Sequence, residues 1–300
     1  MPLMASTLLH RQRLLLKFLE TLDRACGRLF LMKSMFLLCN EELHADVYDF
    51  HPYKHGPFSL TLFSDLRVLE RTGYLRQSEH DVHVLRTLEP RMAQSISKAS
   101  MSGLQNVARR YKDATDLALL RKVYREYPYF ATRNLRCGSR YAFADPRRDP
   151  TKQKAAIFTI GYEGKNIDRF LNELIMNNIH VLVDIRHNPV SMKYDFSGAK
   201  LWTYCSVRSV GYLGIPELGI PSAQRQNLLT SADYSRLFVQ YRRDVLPNAQ
   251  EHFQLLRGLL DQGKRIALLC FEKDHELCHR NDASSALSAF CNQRYGLCHI

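Results

Sequence analysis

Apolar residues recur at helical spacing from Leu8 to Leu22, at Leu8, Leu15, Leu16, Leu19 and Leu22, and a second helix is expected over Leu29–Leu43. A loop follows from Tyr48 to Phe58. Ser59 then stands where an N-cap belongs, ahead of Leu62, Phe63, Leu66 and Leu69 on one face, and Gly73 suits the position just past the helix end. Two β-rich runs, Tyr74–Arg76 and Val82–Leu85, flank a polar turn and predict a small hairpin. Helical spacing returns between Pro90 and Phe130, at Leu104, Val107, Tyr111, Leu117, Leu120, Val123 and Tyr124. The stretches Arg133–Arg140 and Asp145–Pro150 mix charge with two prolines and read as a linker. Beyond it, Ala155–Ile160 is an apolar β-rich run that stops at Gly161-Tyr162-Glu163-Gly164. An amphipathic helix over Ile167–Met176 and a strand over His180–Ile185 complete a βαβ unit, which predicts a parallel sheet. A last strand, Arg265–Cys270, runs into Phe271-Glu272-Lys273-Asp274, with Cys278-His279-Arg280 opening the final helix.

Three hundred residues, 45% hydrophobic and 24% charged, suit two globular domains and exclude a largely disordered chain. No apolar run reaches the roughly 18 residues of a membrane span, and the first residues lack the pattern of a signal peptide. A cytoplasmic protein is therefore expected, its eight cysteines reduced rather than forming a disulfide framework. The net charge is +12, and both halves contribute: 24 basic against 16 acidic residues before position 151, then 18 against 14. Such an excess favours a polyanion, since Lys and Arg neutralise phosphates and release counterions. Solubility alone is the competing explanation.

Helix, helix, helix, hairpin is the order of a winged helix. The stretch His55-Gly56-Pro57-Phe58, with Leu66, Leu69 and Gly73-Tyr74-Leu75, resembles winged-helix modules of bacterial regulators and defence proteins. One helix would enter a DNA groove while the hairpin tip meets phosphate, with Lys54, His55, Ser59, Thr61, Arg67 and Arg76 as contacts. A winged helix used only for dimerisation or protein binding is the alternative. Arg147 and Arg148 in the linker would track a phosphate backbone, or simply solvate a tether. The expected organisation is a winged-helix domain over 1–88, a helical connector and basic linker over 89–150, and a Rossmann-like parallel-sheet α/β domain over 151–300.

Functional residues of parallel sheets gather at the carboxyl ends of strands. Those ends carry Tyr162 and Glu163, then Asp184 and Arg186 two apart on one strand face, and finally Glu272 beyond Cys270. Thr159-Ile160-Gly161-Tyr162-Glu163-Gly164, Val183-Asp184-Ile185-Arg186 with Pro189, Leu218-Gly219, and Leu269-Cys270-x-Glu272 with Cys278-His279-Arg280 resemble the family catalogued as domain of unknown function 488. The motifs run in the family's order over roughly the last 150 residues. The sequence departs at Leu218-Gly219-Ile220, where the family commonly has two glycines. The resemblance implies a Rossmann-like domain with these motifs around one pocket. Members preceded by a winged helix look like components of phage-defence loci, and some resemble DNA glycosylases that remove modified bases.

Base excision needs a pocket for a flipped nucleotide, a carboxylate to orient water and steady an oxocarbenium-like sugar, cations for phosphate and aromatic faces for the base. Asp184 is the first candidate for the water-activating carboxylate and Glu272 the second, with Glu163 and His279 beside them. Arg186, Lys193, Arg280 and Cys278 would bind substrate, and Tyr162, Phe196, Trp202, Tyr204 and Tyr212 would line or stack. Each has a structural alternative: an Asp184–Arg186 brace for the sheet, Glu163 as a turn or cap residue, and aromatics as ordinary packing. The implied substrate is modified, double-stranded phage DNA, for instance with glucosylated hydroxymethylcytosine.

Other chemistries fit less well. Cys270, His275, Cys278, His279, Cys291, Cys298 and His299 suggest zinc, but no C-x-x-C pair exists, and neither a metal nor another cofactor is expected. Glu163-Gly164-Lys165 resembles the E-x-K half of a metal-dependent nuclease site, with Asp184 following it instead of preceding it. A winged-helix regulator with a nucleotide-sensing domain would share the architecture and the charge without turning over. Winged helices often pair, which leaves a homodimer open.

Overall fold

The computed structural model describes residues 8–43, 47–79, 81–134, 138–225 and 230–300, and the chain divides into two units, residues 1–145 and 146–300. In the first, α1 (His10–Leu22) leads through β1 (Cys26–Gly27) into α2 (Arg28–Leu38), which widens into a π-helical turn over Cys39–Leu43. The segment expected as a loop contains a hairpin, β2 (His51–Tyr53) and β3 (Gly56–Phe58), with Pro52 opposite Pro57. Two prolines argue against strands in sequence, because neither donates to a ladder. α3 (Leu60–Arg71) begins where Ser59 Oγ accepts from the Leu62 amide at 3.2 Å, and buries Leu62, Leu66 and Leu69. β4 (Leu75–Gln77) and β5 (Asp81–Val84) form the expected hairpin, and β1 adds a third antiparallel strand beside β5.

After α4 (Pro90–Ala93), α5 (Lys98–Tyr111) and α6 (Asp116–Glu126) return to the same core as α1 and α2, burying Leu104, Val107, Tyr111, Leu119, Val123 and Tyr124. The segment read as a connector thus shares the hydrophobic core of the first unit. Leu117 does not join it and faces solvent. Within that core α2 carries a lysine: Lys33 is 2% exposed, and its Nζ donates to the Pro57 carbonyl at 2.8 Å.

The second unit is mixed α/β. β6 (Ala156–Gly161), α7 (Ile167–Met176) and β7 (Val181–Asp184) are the βαβ unit expected from the sequence. Asn166 caps α7, its Oδ1 accepting from the Arg169 amide at 2.9 Å. Then come α8 (Gly198–Ser206), β8 (Gly211–Gly214), α9 (Ser231–Asp244), α10 (Gln250–Asp261), β9 (Arg265–Cys270), α11 (His279–Phe290) and β10 (Gly296–His299). The five strands are all parallel, in the order β10-β6-β9-β7-β8. β9 is buried along its whole length, as a near-continuous apolar run in a covered parallel sheet should be. Ile157, Val183, Ile266 and Leu268 pack with Tyr241, Phe253, Leu256 and Leu287 from the helices. Among the described residues, no helix is long and apolar enough to cross a membrane.

Candidate functional site

Parallel register brings three strand ends to one edge: Gly161 lies opposite Cys270, and Asp184 opposite Leu269. Two separate side-chain groups form there. In the first, Arg186 Nε donates to Asp184 Oδ1 at 2.8 Å and Nη2 to Oδ2 at 2.5 Å, while the Arg186 amide donates to Oδ1 at 3.1 Å. Tyr212 Oη adds a bond to Oδ2 at 2.7 Å, and Arg186 Nη1 donates to Tyr162 Oη at 3.1 Å. Asp184 and Arg186 are 1% and 5% exposed. Burial works against the Arg186 cation, but its bonds to Asp184 outweigh that and hold its pKa above the ordinary value. Burial and then the Asp184 charge push Tyr212 up, so it stays a donor. With both oxygens doubly engaged, Asp184 has no lone pair directed at a substrate water. It braces the sheet edge, and the water-activating role expected of it has no geometric support.

Nearby aromatics share that closure. Tyr162 and Phe196, both buried, stack on each other with centroids 4.5 Å apart, and Phe271 meets Tyr162 edge-on. They are packing, not platforms for a base. Tyr204 donates to Asp195 at 2.7 Å, Lys193 Nζ to the Lys165 carbonyl at 3.2 Å, and Trp202 stands exposed on α8. Glu163 accepts from the Lys273 amide at 2.9 Å and so ties two loops together. Lys165 pairs with Glu173 instead of Glu163, which separates the two residues of the E-x-K motif.

The second group surrounds the end of β9. Cys270 Sγ lies 3.2 Å from Glu272 Oε2 and 3.7 Å from His279 Nδ1, and Cys278 joins them. The Sγ atoms and the His279 nitrogen all fall within 4.8 Å of one another, and all three residues are buried. His279 Nε2 lies 3.3 Å from the Ile185 carbonyl, to which only an N–H can donate, so Nδ1 is the nitrogen that faces the sulfurs. Burial pushes the Glu272 carboxyl up, but thiol bonds from Cys278 and Cys270, a backbone bond and His279 outweigh it, leaving it below the ordinary value. Burial and the adjoining Cys270 push the Cys278 thiol well up. Arg280, 1% exposed, pins the loop by donating to the carbonyls of Glu272 at 2.5 Å and Lys273 at 2.9 Å.

Glu272 and His279 also line a cavity of about 240 Å³, with Arg225, Tyr234, Leu237 and Phe238. The last three come from α9, where reasoning from strand ends does not look. Tyr234 and Phe238, four apart on a helix otherwise rich in charge, are the one sequence signal for it.

Gly161 fixes where this group sits. A Cβ there would lie 1.8 Å from the Glu272 carbonyl oxygen, so only glycine lets β6 pass the loop that carries Glu272. Gly161→Ala is expected to lower stability by about 2–3 kcal/mol and to displace Glu272. Denaturant unfolding, with a crystal structure of the variant, checks both.

In the first unit Lys54 and His55 are exposed at the β2–β3 turn, Arg67 on α3 and Arg76 on β4. Arg67 lies over the Phe63 ring and Lys54 over Tyr53, at 4.6 and 5.8 Å. Thr61 is half-buried. Ser59 is fully buried under the helix it caps and offers nothing to a phosphate. Arg147 and Arg148 are exposed on a 3₁₀ turn, Pro146–Arg148, of the second unit.

The model of one family, described as "Domain of unknown function DUF488", matches residues 166–287. The chain is similar to that family over this span. The DUF488 match takes in Asp184, Arg186, Cys270, Glu272, Cys278, His279 and Arg280, and begins after the Gly161–Gly164 turn. No curated protein and no solved structure matches the chain.

Proposed function

We propose that the chain is a DNA glycosylase: the second unit hydrolyses the N-glycosidic bond of a modified base, and the first binds DNA as a winged helix, in defence against phage. The observation that carries this reading is the cavity of about 240 Å³ with the Glu272 carboxylate and the His279 imidazole on its wall. A flipped base fits such a space, with Tyr234 and Phe238 as faces to pack against and Arg225 as a cation for the adjoining phosphate. Glu272, held below the usual carboxylate range, stays ionised near neutral pH. It would orient water toward the anomeric carbon and offset the positive charge that develops on the sugar. The net charge of +12 and the exposed Lys54, His55, Arg67 and Arg76 support a DNA partner.

The test is incubation with unmodified and phage-modified DNA, followed by mass spectrometry for free base and an abasic-site probe. Release from modified DNA is expected, with Glu272→Gln slower by about 10²–10⁴-fold. Undiminished release by Glu272→Gln would remove Glu272 from the mechanism. One observation favours a second reading, a regulator without turnover: Asp184, Arg186, Tyr162 and Tyr212 already satisfy one another. Tight binding to a single sequence with no base release would establish it.

A further inference from the structure

Two sulfurs, an imidazole nitrogen and a carboxylate converge at the end of β9, from residues that no C-x-x-C motif announces. We propose that Cys270, Cys278 and His279 bind a divalent cation of the zinc class, with Glu272 beside its fourth position. This goes beyond the activity proposed above and stands whether or not base is released.

The donor set is the first argument. Two thiolates and one imidazole select zinc over magnesium or calcium, which take oxygen ligands. Bond lengths of about 2.3 Å to sulfur and 2.0–2.1 Å to nitrogen place tetrahedral ligands roughly 3.5–3.8 Å apart. The Cys270 Sγ to His279 Nδ1 separation is already 3.7 Å, and the whole set spans no more than 4.8 Å, so a slight contraction closes it.

The surroundings supply the second argument. A ligating histidine needs its other nitrogen held, and His279 Nε2 faces the Ile185 carbonyl, leaving Nδ1 toward the sulfurs. The charges also balance. A dication, two thiolates and the Glu272 carboxylate sum to −1. Arg280, buried and bonded to backbone carbonyls of the same loop, supplies +1. Without a cation the neutral thiols, the carboxylate and the guanidinium also sum to zero, so a dication that displaces both thiol protons leaves the charge of the cluster unchanged.

The cavity meets this cluster at His279 and Glu272, so a fourth position beside Glu272 would face it. Three protein ligands and one open position are the arrangement of catalytic, not structural, zinc. Binding displaces the two thiol protons and is therefore weaker in acid.

Cobalt(II) reads the site without reference to activity. Full-length protein, reduced and freed of metal with a chelator, is titrated with cobalt. Thiolate-to-cobalt charge-transfer absorption is expected, with the intense visible bands of a tetrahedral ion, saturating at one equivalent and bleached by zinc. Cys278→Ser, which leaves Cys270 as the one thiolate of the set, should cut the charge-transfer band to half or less. Cys298→Ser, at an exposed thiol outside the cluster, and Glu272→Gln, which leaves the three donors in place, should keep it. A reduced wild-type protein that gives no such band overturns the proposal, and needs no variant to fold. So does a band of undiminished intensity in Cys278→Ser or one that disappears in Glu272→Gln, and so does a Cys270–Cys278 disulfide in freshly isolated protein. Cobalt binding without base release would leave this site standing and remove the glycosylase; base release without cobalt binding would do the reverse.

Discussion

Arg186→Met is expected to destabilise the second unit by about 3–5 kcal/mol, more than any other single change at the sheet edge. The reason is what it leaves behind. Asp184, 1% exposed, would keep the Tyr212 bond and the Arg186 amide but lose both side-chain bonds that neutralise it. Tyr162 would lose its Nη1 donor as well. Removing both charges is a different matter. Asp184→Leu with Arg186→Met trades the pair for apolar volume, and most of the loss should return, because desolvating two ions offsets much of their attraction. A double-mutant cycle on urea unfolding, followed by the fluorescence of Trp202, the single tryptophan, measures the coupling. A loss below about 1 kcal/mol for the single variant would mean that the pair behaves as a solvated surface bridge and braces nothing.

Lys33 carries the second large effect, in the first unit. Burial pulls its pKa from 10.5 to about 7, with Asp116 opposing weakly. Between these values the unfolded chain holds a proton that the folded chain has given up, so stability rises with pH across this interval. One proton corresponds to about 1.4 kcal/mol per pH unit, hence up to about 3 kcal/mol from pH 7 to 9. Above pH 9 the trend reverses in part. The thiols of Cys26 and Cys39, each pushed to about 12 chiefly by burial, stay protonated in the fold while unfolded thiols ionise. Lys33→Met removes the buried cation but orphans the Pro57 carbonyl, which costs about 1–3 kcal/mol. The net expectation is a gain of about 2 kcal/mol at pH 7 and a flat profile to pH 9. Hydrogen exchange of α2 amides in urea, at several pH values, reads this unit separately from the tryptophan of the other. An unchanged slope in the variant would show that Lys33 keeps its proton in the fold.

Much of the architecture was legible because local signals agreed with tertiary demands. The spacing of Ile167, Phe170, Leu171 and Leu174 marks α7, and Ser59 marks the start of α3. The runs Ala156–Gly161 and Arg265–Cys270 are too apolar for anything but a covered sheet. The edge strands β8 and β10 are not legible in the sequence, being four residues each, opening on a glycine and largely unburied. Site residues were legible as a list but not as an arrangement. Asp184 at the end of β7 and Arg186 two residues beyond it pair as the brace that their spacing allows, and the sequence alone does not choose that brace over a free carboxylate. Conversely, Cys270 and Cys278 stand eight positions apart with no ligand spacing between them. The turn after β9, held by Arg280, brings them beside His279.

The strand order has a consequence for assembly in time. β6 emerges first among the sheet strands, yet its two neighbours, β9 and β10, begin more than a hundred residues later: Ala156 pairs with Arg265 and with Gly296. The centre of the sheet must wait for nearly the whole unit to be synthesised, while the three-stranded sheet of the first unit needs only the stretch from Cys26 to Val84. Loop-closure entropy is met before any long-range pairing compensates it, which slows folding of a nonlocal topology. During that wait Ile157, Phe158 and Ile160 are an uncovered β-prone segment, the kind that chaperones hold and that aggregation captures. Yield in a foreign host will therefore depend on how fast the second unit closes, more than on how stable it is once closed.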